Sequence, residues 1–129
     1  MEKTQVNPWG WQDNFGFSQA WKVDGARSVI FVSGQASIST KGEVMHAGDL
    51  RAQVRLTFEN LQTVLTQAGA SLENIVKLGA YFLDITMLPD YGAIQAEFFK
   101  EKMPAQTAVE VRCLALPGLL IEVEAIAVV

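Results

Sequence analysis

Cysteine and histidine are the scarcest chemistry-bearing residues in this 129-residue chain, with Cys113 and His46 the sole examples of each. One cysteine excludes an internal disulfide framework. One histidine without a cysteine pair offers no metal-ligand spacing, so no metal site is expected. Positive charge is also short: ten Lys and Arg stand against fourteen Asp and Glu, a net charge of −4. That balance argues against a phosphate backbone as partner, so nucleic acid is not expected. No apolar run reaches the ~18 residues of a bilayer span. Met1–Asn14 has no basic segment leading into an apolar one, so no secretory signal is expected either. Gly-rich phosphate loops, catalytic triads and nucleotide fingerprints are missing. Ser33 has no histidine near it in sequence to make it a nucleophile. These absences together point to the cytoplasm.

What remains is half hydrophobic and 19% charged, enough for a packed core in one domain over residues 1–129. Met1–Asn14, with Pro8, Trp9, Gly10 and Trp11, reads as an irregular arm. Phe15–Val23 suggests a first strand and Asp24-Gly25 a tight hairpin turn. Ser28–Val32 is a short buried strand, and Gly34 after it marks a bulge or a close backbone approach. Asp49–Ala68 is the clearest helix: Leu50, Val54, Phe58, Leu61, Leu65 and Ala68 form one stripe. Asp49 suits its N-cap and Gly69 its left-handed C-terminal turn. Ser71 to Asn74 begins a short turn, Ile75–Asp84 reads as a strand, and Met87–Lys100 as a second helix with Pro89 near its start.

Pro104–Val129 reads as two long strands joined by a turn at Pro117-Gly118. In the first, Thr107, Val109, Val111 and Cys113 form the apolar face, where Cys113 is expected to be a small buried hydrophobe. In the second, Leu119, Ile121, Val123, Ala125 and Ala127 oppose Leu120, Glu122, Glu124, Ile126 and Val128. The resulting β-β-(β)-α-β-α-β-β order gives an α+β fold with both helices on one face of a mixed sheet. The second face is itself apolar, so another copy of the chain is the simplest cover.

Several short pieces recur in a fixed order: Ser33-Gly34-Gln35, Gln53 with Asn60-Leu61, Ala68 to Leu72, Ile75-Val76-Lys77, Pro104-Ala105, Val109-Glu110-Val111 and Ile121 to Ala127. Their order and spacing, from about Phe17 to Val128, resemble the Rid (YjgF) family, also called endoribonuclease L-PSP. The resemblance implies a chorismate-mutase-like fold and a homotrimer whose sheets form a central barrel. Clefts between its subunits would bind small acids. It also implies cofactor-free hydrolysis of reactive enamines and imines.

On that resemblance Glu122 matches the cleft glutamate that assists water, and Ser33 with Gly34 matches the cleft serine segment. Gln106 stands where the family has a carboxylate-binding arginine, a planar fork suited to bidentate pairing. Phe17 replaces a common tyrosine, Gly92 a frequent asparagine and Ala108 a frequent cysteine. Arg112 shares strand parity with Gln106, but six residues at ~3.3 Å each put it about 20 Å away. The expected activity is therefore deamination of an enamine- or imine-type metabolite other than the usual 2-imino acids. The alternatives are a non-catalytic small-ligand-binding trimer and, ranked last, a ribonuclease or translation inhibitor. Glu110 and Glu124 are expected to be structural or solvent-facing, and His46 a surface-loop residue. Trp9, Trp11, Phe15 and Phe17 either pack the arm onto the core or wall the cleft.

Overall fold

The structure, a computed structural model, describes residues 1–100 and 102–129. Six strands and two helices run in the order β1 (Glu2–Val6), β2 (Ala20–Asp24), β3 (Val29–Ala36), α1 (Leu50–Gln67), β4 (Ile75–Phe82), α2 (Leu88–Phe98), β5 (Ala105–Glu110) and β6 (Ile121–Val128). They form two sheets. β1 and β2 pair as an antiparallel ribbon, and the main sheet has the order β3-β6-β4-β5, antiparallel except for the β4–β5 pair. The α+β class and the helix positions agree with the sequence.

Helix α1 forms where its stripe demands. Asp49 caps it by accepting from the Ala52 amide at 3.1 Å, and Gly69 leaves it at φ 79°. Val54, Phe58, Leu61 and Leu65 are fully buried against Leu78, Ala80, Phe82, Ile121, Val123 and Ala127 of the sheet and Tyr91 and Ile94 of α2. Phe58 sits at the centre, with the rings of Tyr91, Phe98 and Phe99 at 5.7, 5.2 and 5.8 Å. Two polar side chains of α1 reach inward as struts. Gln53 Nε2 donates to the Gly118 and His46 carbonyls at 2.8 and 3.2 Å while its Oε1 accepts from the Leu120 amide at 2.8 Å. Asn60 Nδ2 donates to the Ala36 and Ile38 carbonyls at 3.0 and 2.9 Å. Buried loop carbonyls need such partners, which is why polar residues interrupt this helix face.

Several local expectations are corrected. Met1–Asn14 is not wholly irregular: β1 pairs with β2 from Glu2↔Asp24 to Val6↔Ala20. Its more buried positions, Lys3 and Gln5, are polar, so the strand shows no apolar alternation in the sequence. The strand expected over Phe15–Val23 begins only at Ala20, since Phe15 closes a 3₁₀ turn from Trp11. The chain does turn at Gly25, with φ 72°, but β2 and β3 enter different sheets and form no hairpin. β5 and β6 are not neighbours, because β4 lies between them, and residues 111–120 form the loop that crosses it.

The face of the main sheet away from the helices is open and apolar. Val29 is 50% exposed, Phe31 77% and Val109 39%. Phe31 lies opposite Ile126, and the two line a hollow of about 210 Å³ with Lys77, Gly79 and Glu124. Cys113 is exposed in the 111–120 loop, because β5 ends at Glu110 before the alternation reaches it.

Candidate functional site

The sequence-selected residues fall into two groups on opposite faces of the sheet. The first group centres on Glu122. Between Val32↔Ala125 and Gln35↔Val123 the β3 ladder takes in one extra residue, so Ser33-Gly34 forms a bulge beside β6. A Cβ on Gly34 would overlap the Glu122 carboxylate and lie 2.7 Å from its carbon and 2.9 Å from Cγ. Glycine here is what lets that side chain lie across the backbone. Both readings of Gly34, bulge and close approach, hold together.

Glu122 is half-buried, and among the described residues its carboxylate accepts no hydrogen bond. Tyr81 is its cross-strand partner on β4. The Tyr81 hydroxyl donates to Glu124 Oε1 at 2.9 Å, and that bond, with partial desolvation and the charges of Glu124 and Glu122, raises the tyrosine's pKa above its ordinary value. A Cβ on Gly79 would stand 3.0 Å from Glu124, so both glutamates lie over glycines. Tyr81 was not legible as part of this group, since its pairing with Glu122 depends on β4 entering between β5 and β6. Glu110 is structural as expected, accepting from the Ile85 amide at 3.1 Å.

The second group centres on Gln106. Along the cross-strand row Ala125–Leu78–Gln106, its side chain shares the helix-facing side with Leu78, whereas the row Glu122–Tyr81–Val109 faces the open side. Tyr91 of α2, fully buried, donates from its hydroxyl to Gln106 Oε1 at 2.8 Å. Gln106 Nε2 donates to Gln95 Oε1 at 3.2 Å. Burial holds the Tyr91 hydroxyl far above the ordinary tyrosine pKa, so it is a donor at all working pH values. Gly92, the residue after Tyr91, is half-buried, and a Cβ there would meet nothing within 4 Å. Phe17 arrives beside this group because the Ser18 amide donates to the Pro104 carbonyl at 3.0 Å and Ser18 bridges Ala105.

The aromatic arm packs differently from one expectation. Trp9, Trp11 and Phe15 are 59%, 53% and 65% exposed, so they do not pack into the core. Trp11 instead stacks edge-on against Phe15 and Phe17, at 6.2 and 5.7 Å, making a largely exposed aromatic cluster. His46 is exposed at φ 59° in the turn before α1, where its carbonyl accepts from the Asp49 amide. Among the described residues no three His, Cys, Asp or Glu side chains gather as a metal site would require. A larger groove of about 910 Å³, with Trp21, Lys3 and Lys102 among its walls, holds none of the selected residues.

Residues 13–129 match the family described as endoribonuclease L-PSP. The chain belongs to the Rid (YjgF) family. A Rid-family protein of unknown function from Yersinia pestis, YyfB, has the same fold with a TM-score of 0.90, 32% identity and complete coverage of both chains. A RutC family protein of Pyrococcus abyssi is 39% identical over 111 residues, covering 86% of this chain and 84% of the relative. The 3-aminoacrylate deaminase RutC of Acinetobacter baylyi is 33% identical over 102 residues, covering 79% and 80%. The mitochondrial protein mmf2 of Schizosaccharomyces pombe is 36% identical over 129 residues, covering 98% of each. Among the described residues of this Rid protein no helix is long and apolar enough to cross a membrane.

Proposed function

We propose that this Rid protein deaminates a small enamine- or imine-type metabolite in clefts shared between copies of the chain. The observation that carries the reading is Glu122: a half-buried carboxylate, free of hydrogen bonds among the described residues, seated over Gly34 on an open sheet face. In the proposed step, Glu122 takes a proton from water as the water oxygen bonds the C=N carbon. It returns that proton to nitrogen, whose lone pair comes from the C=N π bond, giving a carbinolamine. The hydroxyl proton then passes through Glu122 to the amine, the C–N bond breaks, and ammonia leaves as the carbon becomes a carbonyl. Placing a general base in this way contributes roughly 10²–10⁴-fold. Ser33 and Gln106 orient the ligand, Phe17 and Gly92 shape the wall, and the chemistry needs no cofactor.

Glu122 and Gln106 cannot serve one ligand within a single copy. They face opposite sides of the sheet, and β4 separates their strands, roughly 10 Å in the sheet plane. One cleft holding both requires Glu122 from one copy and Gln106 from the next. The exposed Phe31, Val29 and Val109 supply an apolar surface for that assembly, for which we propose a homotrimer. The cysteine-poor composition suits a reducing compartment, the cytoplasm in our proposal.

A second reading, a ligand-binding trimer without turnover, is favoured by one observation: Gln106 is neutral and held in a hydrogen-bond network, so the cleft lacks a carboxylate-pairing cation at that point. The test is ammonia release from freshly generated 2-iminobutyrate and from 3-aminoacrylate, comparing wild type with Glu122→Gln. Turnover that falls at least a hundredfold in the variant supports deamination. Ligand binding with no ammonia release in either protein supports the second reading.

A further inference from the structure

The amide of Gln106 is not free to choose its partners. Its oxygen accepts from Tyr91 at 2.8 Å and its nitrogen donates to Gln95 at 3.2 Å. Both partners project from α2, and both are at least nine-tenths buried, Tyr91 at 0% and Gln95 at 2% exposure. Tyr91 is immobilised by its ring, which packs edge-on against Phe82 at 5.1 Å and tilted against Phe58 at 5.7 Å. The tyrosine hydroxyl points its proton at Gln106 Oε1 while Gln106 Nε2 points at Gln95 Oε1, and the two bonds together hold the amide in one orientation. A primary amide has two N–H donors and two acceptor lone pairs. Two of these four are spent inside the fold. One N–H and one lone pair are left without a partner among the described residues, and Gln106 is half-buried.

The surroundings match a ligand seat. Gly92 follows Tyr91 in mid-helix, where glycine costs roughly 1 kcal/mol against alanine. No atom of the chain requires it, since a Cβ there would meet nothing within 4 Å. Phe17 and Trp11 add an aromatic side.

The geometry points to Tyr91 and Gln95 as positioning residues that set Gln106 to bind an uncharged group offering both a hydrogen-bond acceptor and a donor, a carboxamide or ureide, in preference to a carboxylate. A carboxylate presents acceptors only, so it meets the remaining N–H but also the remaining oxygen lone pair, which repels it. This names the ligand class of the proposed cleft and rests on Gln106 lining it.

The experiment measures binding, not turnover, and uses two stable probes that differ only in this group: 2-oxobutanamide and 2-oxobutanoate. Affinities for wild type, Gln106→Arg, Tyr91→Phe and Glu122→Gln are followed by titration calorimetry or by backbone amide shifts in NMR. Wild type is expected to favour the amide about tenfold, the worth of one hydrogen bond. Gln106→Arg should reverse the preference. Tyr91→Phe keeps the packed ring and should bring the ratio of the two affinities close to one, a change that general loosening of the fold, acting on both probes alike, would not produce. Wild-type preference for the carboxylate, binding of neither probe, or an unchanged ratio in Tyr91→Phe overturns the assignment. An amide preference that survives in a protein releasing no ammonia from any substrate leaves the assignment standing and removes the deaminase reading instead.

Discussion

Gly34→Ala separates the site from the fold. The added Cβ would overlap the Glu122 carboxylate, with the carboxyl carbon at 2.7 Å and Cγ at 2.9 Å. Gly34 is not among the residues at positive φ, so alanine meets no backbone strain there. Everything it strikes belongs to the outer part of one flexible side chain. Glu122 can yield by changing rotamer, at a cost of about 0.5–1.5 kcal/mol. The hydrophobic core on the opposite side of β6 is untouched. The loss of function should be much larger, because a displacement of about 1 Å in a catalytic group can cost a hundredfold in rate. Chemical denaturation should therefore show a fall of no more than about 1.5 kcal/mol, while kcat for ammonia release drops roughly a hundredfold. A variant with undiminished kcat would mean that the carboxylate's seat over Gly34 does not matter to the reaction. A collapse of stability would mean that the clash is relieved by the strands and not by the side chain.

Other expectations follow from the same geometry. Gln53→Leu leaves the Leu120 amide and the Gly118 carbonyl without their partner, while the His46 carbonyl keeps the Asp49 amide, so stability should fall by about 2–3 kcal/mol in urea melts, well beyond a surface substitution. Phe31→Asp puts a charge on the open face and should shift the assembly to single chains in light scattering; an unchanged mass would place the interface elsewhere. The pH dependence has a definite sign for Tyr91. Burial raises its folded pKa above the unfolded value near 10, so its contribution is complete below that value and is lost as pH climbs beyond it, because only the unfolded chain ionises there. Wild type should lose stability above pH ~10 by about 1.4 kcal/mol per pH unit more steeply than Tyr91→Phe, and equal slopes in the two proteins would contradict the burial argument.

Much of this is legible in the sequence. The α1 stripe, the Asp49 cap and the Gly34 irregularity are local patterns, and local patterns survive folding. Gln53 and Asn60 stand in the sequence only as pieces of the family pattern, and their role, anchoring the 111–120 loop and the end of β3, needs the tertiary structure. The strand neighbours of β5 and β6 are not legible because proximity in sequence suggests a hairpin, whereas the parallel pairing of β4 with β5 is a long-range choice. That single difference hid two facts about the site. It concealed Tyr81 as the partner of Glu122. It also concealed that Gln106 faces the helices while Val109, on the supposed core face, points to the open side. The aromatic arm was ambiguous for a different reason: Trp and Phe signal burial, and only the structure shows that here they remain on the surface.

The central claim is that the site is divided between copies, and mixing inactive variants tests it most directly. Glu122→Gln removes the carboxylate from one face, and Gly92→Trp adds bulk on the other, one residue after the Tyr91 that holds Gln106 and where a Cβ meets nothing within 4 Å. If each site joins Glu122 of one copy to Gln106 of the next, co-refolding equal amounts should restore about a quarter of the wild-type rate, from random placement of the two variants around a closed ring. If the mixture stays as inactive as its components although mass spectrometry shows mixed assemblies, both groups act within one copy and the account is wrong.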